Sequence, residues 1–184
     1  AFIFLQNRYM RTRDLGFQKD QVLVASLPEM PYQSSPYRNF YTKLKSYAEI
    51  DDIAFAKWEL GASEGYSSYM FRYNGTEYGH NFIDVSTNFI DVMGMKLVSG
   101  TDFLPSDSIN KDELVFIATE DLQKQTGIEA GEMVDFTWRM KARIKGFVKY
   151  AQFTSFKIGN YPYVFCPNSQ YTNGQLPYAY IRVR

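Results

Sequence analysis

Residues 21–27 (QVLVASL), 35–48 (SPYRNFYTKLKSYA) and 53–58 (IAFAKW) predict a strand, a helix and a second strand in succession. The first segment is almost wholly apolar, which is typical of a buried strand. Ser35 is a suitable N-cap for the helix, and Pro36 is tolerated in a first turn. A strand–helix–strand unit of this length predicts two parallel strands. Helical spacing also predicts one apolar stripe that lies on an apolar surface, formed by Tyr37, Phe40, Tyr41, Leu44, Tyr47 and Ala48.

The pair Asn74-Gly75 predicts a β-hairpin within residues 67–83. Both central positions of a type I′ turn need positive φ, and Asn-Gly is the favoured pair for them. Since side chains alternate along a strand, three aromatic rings and one imidazole are predicted to share a face. The predicted cross-strand pairs are Tyr73 with Thr76, Phe71 with Tyr78, and Tyr69 with His80.

The remaining segments predict short helices and more strands. Strands outnumber helices about two to one, so the predicted fold class is α+β with a mostly antiparallel part. The predicted helices are 2–13, a short helix to Met93 that Ser86-Thr87 cap and Gly94 ends, and one that Thr119 caps and Gly127 ends. The predicted further strands are 114–118, 133–138, 142–149, 161–166 and 178–184.

The composition indicates a folded, sheet-rich domain with no general attraction for polyanions. The chain has 184 residues, of which 45% are hydrophobic and 17% aromatic, and it carries 15 Tyr and 15 Phe. This size allows one domain or two small subdomains, and the aromatic content favours sheets. Lys plus Arg and Asp plus Glu both total 20, so the formal net charge is zero. We therefore expect no nucleic-acid partner.

The single Cys, Cys166, and the single His, His80, limit the possible chemistry. One Cys allows no internal disulfide, and one His excludes sites that need two imidazoles. The two residues could form a nucleophile and its base, which leaves a small hydrolase as an alternative function. We favour a buried apolar role for Cys166 and a place in the sheet for His80. The sequence has no phosphate-binding loop and no G-x-S-x-G elbow, so we expect no enzyme activity and no cofactor.

Two groups of acidic residues are candidates for metal or acid–base sites. The loop with Asp102, Asp107, Asp112 and Glu113 departs from the EF-hand pattern, because Ile109 stands at a ligand position and no Gly follows. A solvated acidic loop is the preferred interpretation. The adjacent residues 51 and 52, both Asp, should point to opposite faces of a strand and so make poor partners in acid–base chemistry. We predict no catalytic, cofactor or metal residues, and the sequence identifies no substrate-binding residue.

The first 17 residues have the pattern of the end of a membrane helix. Phe2-Ile3-Phe4-Leu5 is apolar, residues 6–13 are basic, and Asp14-Leu15-Gly16-Phe17 forms a turn-like end. No apolar run reaches the roughly 20 residues of a membrane span, and no signal peptide is present. We interpret this segment as the last turn of a transmembrane helix.

Groups of residues along nearly the whole chain match, in order, the motifs of one family. They are Gln6, Tyr9-Met10, residues 14–17 and 19–23; Val85-Ser86, Phe89, Met93-Gly94-Met95, Leu97 and Gly100-Thr101-Asp102-Phe103; Val115 to Glu120, Gly127 and Gly131; Arg143 to Lys149; Tyr161-Pro162; and Tyr180 to Val183. With these motifs the chain resembles the MacB-like periplasmic core domain of FtsX/MacB-type ABC transporter permeases. The segment over residues 14–17 is most similar to the second such domain of the Bacteroidetes-type permeases. Thr101 stands where the family has Arg, and residues 150–153 replace its Asp-Phe, so a structural ion pair of those residues is not carried over.

The resemblance implies a two-lobed periplasmic domain between two transmembrane helices. Residues 1–17 would end the membrane-proximal helix. A porter-like lobe that contains the βαβ unit would comprise roughly residues 18–62 and 176–184. A mostly antiparallel, sabre-like lobe would lie within roughly residues 100–175. Both lobes would belong to a single domain over residues 1–184.

The resemblance also implies a function without catalysis. ATP hydrolysis in such transporters belongs to a separate cytoplasmic ABC ATPase, while the extracytoplasmic domain passes on motion and contacts substrates or periplasmic partners. The expected partners are the flanking transmembrane helices, the ATPase, a periplasmic adaptor and, in the full transporter, a second copy. The expected location is the periplasmic face of the inner membrane. The alternative is a carbohydrate- or peptide-binding module, because Tyr and Phe are abundant; a groove lined with solvent-facing Tyr rings would support it.

Overall fold

Strands dominate the computed structural model, which describes residues 21–28, 31–60, 67–109, 113–137, 140–149, 162–167 and 175–184. The helix predicted over 2–13, and the segment interpreted as the end of a membrane helix, lie outside these residues. None of the helices among these residues combines the length and the hydropathy of a membrane span.

The described elements alternate between two sheets along the chain. The helices are α1 (Ser35–Lys45), α2 (Phe89–Val92) and α3 (Glu120–Thr126), with one 3₁₀ turn at Pro105–Ser108. The strands are β1 (Val22–Ser26), β2 (Ile50–Ala56), β3 (Ser67–Tyr73), β4 (Thr76–Asp84), β5 (Leu97–Gly100), β6 (Leu114–Thr119), β7 (Met133–Thr137), β8 (Met140–Val148), β9 (Tyr163–Cys166) and β10 (Tyr178–Val183). This mixture, with many strands and few helices, confirms the α+β class.

A three-stranded sheet has the order β1-β10-β2. The last strand is antiparallel to both neighbours, with Ala179 opposite Ala25 on one side and Phe55 on the other. Strands β1 and β2 are therefore parallel, as predicted, but β10 lies between them. The sequence around the βαβ unit does not indicate that β10 lies between its two strands, because β10 begins more than 120 residues after β2 ends.

The prediction that β1 is buried is wrong. Leu23 is 60% exposed and Val24 is 45% exposed. The strand lies at one edge of the sheet, and β2 lies at the other. The helix at Ser35–Lys45 and the short helix at Phe89–Val92 pack mainly on β2, so Ile53 is fully buried while much of β1 stays exposed. An apolar sequence indicates β-propensity, but it does not show which strand a helix will cover.

Helix α1 covers one face of this sheet but is shorter than predicted. Its N-cap is Ser34 rather than Ser35, with Pro36 in the first turn. It ends at Lys45, where the Ser46 side chain donates a hydrogen bond of 2.7 Å to the Lys43 carbonyl and competes with further helical turns. The first four members of the apolar stripe contact the sheet, while Tyr47, beyond the helix end, is 51% exposed.

The larger sheet closes on itself. Its order is β5-β8-β6-β9-β4-β3-β7, and β7 also pairs with β8, so six strands form a ring to which β5 is attached. The pairs β4–β9 and β6–β8 are parallel and the other pairs are antiparallel. The expectation of a mostly antiparallel part is thus confirmed for this sheet.

The hairpin β3–β4 has the predicted register. Asn74 and Gly75 form its turn with φ of 49° and 78°, and Tyr69 lies opposite His80. Its inward face adds aromatic rings to the interior of the closed sheet, where Phe82 contacts Phe136 with ring centroids 5.3 Å apart. Part of the aromatic content of the chain therefore serves this core.

The contact between β5 and β8 explains two glycines in the family motifs. Gly100 has φ of 76°. A Cβ on Gly146 would lie 2.8 Å from the Thr101 carbonyl oxygen, closer than side chains tolerate. The two backbones can approach this closely only because neither residue has a side chain.

Residues 85–95 lie between the two sheets and bury most of their apolar side chains. The short helix α2 falls within this segment, and Gly94 ends it with φ of 61°. The predicted cap at Ser86-Thr87 is wrong, because Asn88 is the N-cap. The Ser86 hydroxyl is instead engaged with β2, where it accepts a hydrogen bond of 2.9 Å from the Phe55 backbone.

Helix α3 begins and ends where the sequence predicts. Thr119 precedes it, and Gly127 ends it in the left-handed conformation. The Thr119 hydroxyl does not cap the helix; it accepts a hydrogen bond of 2.9 Å from the Tyr163 backbone and so joins β6 to β9.

Candidate functional site

The structure does not bring Cys166 and His80 together. Both side chains are buried, at 0% and 1% exposure. Strand β9 pairs with β4 so that Cys166 lies beside Asp84, four residues along the strand from His80. Four residues of a strand span about 13 Å, too far for a nucleophile and its base. The geometry therefore does not support the hydrolase alternative.

His80 lies among aromatic rings inside the closed sheet. Its ring centroid is 5.3 Å from that of Phe71 and 5.9 Å from that of Phe136. Neither ring nitrogen has a hydrogen-bond partner of acceptable geometry in the part of the chain that the structure describes. Burial lowers the pKa of His80 to about 4, and the nearby Tyr78 backbone opposes this shift without cancelling it. The imidazole is therefore neutral at neutral pH.

The residues of the acidic loop are engaged separately. Asp107 accepts hydrogen bonds from Lys145 at 2.5 Å and from the Leu104 backbone at 2.7 Å. Glu113 pairs with Arg143 at 2.6 Å. Asp112 lies outside the described residues. Among those described, no three acidic, His or Cys side chains form a group that could hold a metal ion.

The other acidic residues of interest also have partners. Burial raises the pKa of Asp102, which accepts a hydrogen bond of 2.7 Å from the Phe103 backbone. Asp51 and Asp52 take different partners, as the sequence predicts for neighbours on a strand. Asp51 lies 3.8 Å from Arg182, whereas Asp52 belongs to a separate network.

A cleft of about 380 Å³ lies between α1, β2 and the start of residues 85–95. Tyrosine rings form much of its wall, and polar side chains gather at one end. Its lining consists of Tyr32, Tyr37, Tyr41, Asp52, Ile53, Phe55, Thr87 and Asn88. A concave site with flat apolar walls and a few convergent polar groups is the usual form of a small-ligand site.

The tyrosines of the cleft come from two adjoining elements. Tyr37 and Tyr41 are one helical turn apart on α1, and Tyr32 lies in the turn before it. The Tyr32 and Tyr37 rings meet edge to face with centroids 4.7 Å apart, and Tyr37 packs on Phe55 at 4.3 Å. Burial raises the pKa of both Tyr32 and Tyr37, so the phenols stay protonated.

Asp52 is the centre of the polar end. Its carboxylate accepts hydrogen bonds from the Tyr41 hydroxyl at 3.1 Å and the Asn88 amide at 2.8 Å, and Lys45 lies 3.2 Å away. Burial acts to raise the pKa of Asp52, but these hydrogen bonds and one from the Ile53 backbone outweigh it and lower the pKa. Burial and the neighbouring carboxylate raise the pKa of Tyr41 to about 12. At neutral pH a protonated phenol therefore donates to an ionised carboxylate.

Sequence reasoning did not identify this cleft. The spacing of Tyr37 and Tyr41 gave a partial signal, since it places both on the covered face of α1. Nothing in the sequence connects them with Asn88, because that contact joins α1 to a segment some 50 residues later.

The last strand also holds the segment between the sheets. The Arg182 guanidinium donates hydrogen bonds to the Val92 carbonyl at 2.9 Å and 2.6 Å, and to the Asp91 carbonyl. These carbonyls end α2, where a positive charge is favourable. Strand β10 is therefore connected directly to the helix that separates the two sheets.

The fold has counterparts among solved structures. The chain is similar to the periplasmic region of MacB from Actinobacillus actinomycetemcomitans, with TM-score 0.58 and 15% identity over 91% of this chain and 76% of that one. It is also similar to the extracellular domain of the noncanonic ABC-type transporter YknZ from Gram-positive bacteria, with TM-score 0.58 and 9% identity over 90% and 84% of the two chains. A domain of a protein described as a permease from Porphyromonas gingivalis matches with TM-score 0.54 and 14% identity over 89% and 74%.

These likenesses show the fold. The chain has the fold of the MacB-like periplasmic domain of ABC transporter permeases, so the fold that the sequence resemblance implied is confirmed. No protein-family profile matches the chain, and no curated protein matches it.

Proposed function

We propose that the chain is a non-catalytic, extracytoplasmic domain of an ABC transporter permease that acts in export or in passing on motion. The observation that carries this proposal is the fold, together with the position of its two ends. The backbone of Val183 donates a hydrogen bond of 2.9 Å to the Gln21 carbonyl, so the described fold begins and finishes side by side. Neighbouring ends suit a domain inserted between two membrane helices.

The two sheets correspond to the two lobes of this proposal. The three-stranded sheet draws its strands from residues within 18–62 and 176–184, and we assign it to the porter-like lobe. The closed sheet would form the sabre-like lobe, drawn mainly from residues within 100–175. It also contains the hairpin β3–β4, so we place residues 67–84 in that lobe. The flanking transmembrane helices would adjoin the three-stranded sheet, because β1 begins at Val22 and β10 ends at Val183.

Motion would pass between the lobes through residues 85–95. These residues are joined to the three-stranded sheet at both ends: Ser86 bonds to β2, and Arg182 holds the α2 carbonyls. Their apolar side chains pack on the closed sheet, where Phe89 contacts Phe165 with centroids 5.8 Å apart. The ATPase would supply the motion, an adaptor would receive it, and two copies would act together in the transporter.

Labelling of the full gene product in spheroplasts tests the location. In a Lys124→Cys variant the new thiol is exposed, since the Lys124 side chain is 70% exposed, whereas Cys166 is buried and supplies an internal background control. We expect a membrane-impermeant maleimide to label the variant in intact spheroplasts, with the protein in the membrane fraction. Labelling that requires lysis of the inner membrane, or a gene product that is not membrane-bound, would contradict the proposal.

The role in passing on motion is tested separately in the assembled transporter. We expect Arg182→Ala to lower substrate-dependent ATP hydrolysis by the co-purified complex, because the link between β10 and α2 is lost. Arg182→Lys keeps a charge near the α2 carbonyls and should retain part of the effect. Unchanged ATP hydrolysis in a folded Arg182→Ala variant would contradict the proposal that motion passes between the lobes through residues 85–95.

A further inference from the structure

The tyrosines of the cleft keep part of their rings available to a ligand. Tyr32 and Tyr41 are half-buried, unlike Tyr37, which is 6% exposed. Tyr32 lies in a turn closed by a hydrogen bond of 3.1 Å from the Ser34 backbone to the Pro31 carbonyl. Gln33 in this turn has φ of 64°, a conformation that costs a non-glycine residue about 1 kcal/mol or more. Such strain is typical of segments that hold a side chain in a functional position.

The polar end of the cleft is rigid before any ligand arrives. The Asn88 amide donates to Asp52 at 2.8 Å and to the Ile53 carbonyl at 2.9 Å, and its oxygen accepts from Ser86 at 2.7 Å. The Thr87 hydroxyl beside it makes no hydrogen bond within the described part of the chain. A fixed lining with an unused hydroxyl favours a ligand that forms neutral hydrogen bonds.

A charged ligand would find no free opposite charge in the cleft lining. The Asp52 carboxylate is already paired with Lys45 and bonded to Tyr41 and Asn88. The groups left to a ligand are the hydroxyls of Tyr41 and Thr87, each of which can accept a hydrogen bond. Tyr32 offers its ring, because its hydroxyl is engaged with Tyr37 and Gln33. The cleft thus has no unpaired charge to offer.

An extended peptide is a poor candidate, because the backbone groups at the edge of β2 already have hydrogen-bond partners. A peptide would add to this edge through its backbone. The edge is already engaged, since the Phe55 carbonyl accepts a hydrogen bond of 2.8 Å from the Ser86 backbone and the Ile53 carbonyl accepts one from Asn88.

We propose that this cleft is a saccharide-binding site. A pyranose ring has apolar C–H faces that can stack on the Tyr32 ring. Its hydroxyls can donate hydrogen bonds to the hydroxyls of Tyr41 and Thr87 and accept one from Thr87. The volume of about 380 Å³ is at the lower end of ligand pockets and suits one or two sugar rings. The inference is independent of the proposed membrane location, because it rests on the lining of the cleft alone.

Saturation-transfer difference NMR on the purified chain tests the proposal, with glucose, galactose, mannose, N-acetylglucosamine, maltose, cellobiose and chitobiose as probes. We expect saturable transfer to the C–H protons of at least one probe. Tyr32→Ala should weaken its affinity about tenfold through loss of the stacked ring, whereas Tyr32→Phe retains the ring and most of the affinity. Thr87→Val should weaken it about threefold or more through loss of a hydrogen bond.

Matched controls make each outcome decisive. Tyr47→Ala removes an exposed tyrosine outside the cleft and should leave affinity unchanged. Far-UV circular dichroism shows whether Tyr32→Ala is folded. If it is not, Thr87→Val alone decides whether the cleft is the binding site. No transfer to any probe, or transfer that Tyr32→Ala and Thr87→Val leave intact, overturns the proposal. Tetramethylammonium or an unstructured peptide binding in this cleft in place of every sugar overturns it too.

Discussion

The two sheets differ in how completely they cover the aromatic side chains at their margins. In the closed sheet the rings of Phe71, Phe82 and Phe116 are at most 1% exposed, and even a polar imidazole is enclosed without a hydrogen-bond partner among the described residues. Beside the three-stranded sheet, Tyr32 and Tyr41 are only half-buried. They border a cleft in which the Asp52 carboxylate accepts hydrogen bonds from Tyr41 and Asn88. Closure of a sheet removes water from one face entirely, whereas an open sheet under one helix leaves a margin where polar tips reach solvent. The comparison predicts that substitutions inside the closed sheet lower the free energy of unfolding more than substitutions at the margin of the cleft.

The largest effect is expected from removing a ring inside the closed sheet. Phe82→Ala would leave a cavity among Tyr69, Phe116 and Phe136, and we expect a loss of about 3–5 kcal/mol in the free energy of unfolding. Tyr41→Ala on the other sheet should cost about 1–2 kcal/mol, because that ring is half-exposed. Urea unfolding measures both. Equal losses would show that the two regions are packed alike.

Acid should destabilise the closed sheet through His80. Its pKa is about 4 in the fold and about 6.5 when unfolded, so the unfolded state binds the proton more readily. Stability is therefore lost as pH falls from about 6.5 to about 4, by about 3 kcal/mol in total. Urea unfolding at a series of pH values measures this slope, and His80→Phe should remove it. A slope that persists in the variant would assign it to other groups.

A smaller effect is expected at the polar end of the cleft. Asp52→Ala removes the acceptor of the Tyr41 and Asn88 hydrogen bonds and should cost about 2 kcal/mol at pH 7. Because the fold lowers the pKa of this carboxyl, its contribution is present above about pH 4 and is lost as pH falls further. Thermal unfolding should show a smaller difference in stability between wild type and the Asp52→Ala variant at pH 3 than at pH 7. An equal difference in stability at both pH values would show that the charge of the Asp52 carboxylate does not contribute to stability.

The smallest effect is expected at an exposed ion pair. Lys124 and Glu120 are 2.6 Å apart on α3, four residues apart, and the Lys124 side chain is 70% exposed. Lys124→Ala should change the free energy of unfolding by less than about 0.5 kcal/mol, and added salt should reduce the difference. This variant sets the baseline against which both sheets are compared. A loss above 1 kcal/mol would point to a role of α3 beyond the ion pair.

Local patterns predicted the elements that depend on neighbouring residues. Asn74-Gly75 fixed the hairpin and its register, since positive φ at two successive positions allows few alternatives. Gly127 marked the end of α3 for the same reason, because it adopts positive φ. Thr119 marked the start of α3 by its position, although its hydroxyl bonds to the Tyr163 backbone instead of to the helix. The predictions for β1 and for the cap at Ser86 failed, because burial and side-chain partners there depend on distant strands.

The sequence by itself determined the α+β class, the hairpin and the resemblance whose fold the structure confirms. These follow from turn chemistry, from alternation of apolar residues and from the order of motifs along the chain. Tertiary structure alone decided that β10 separates β1 from β2, that β7 closes the larger sheet, and that Asp52 and Asn88 meet beside three tyrosines. Each of these depends on contacts between segments far apart in the chain, which local pattern does not encode.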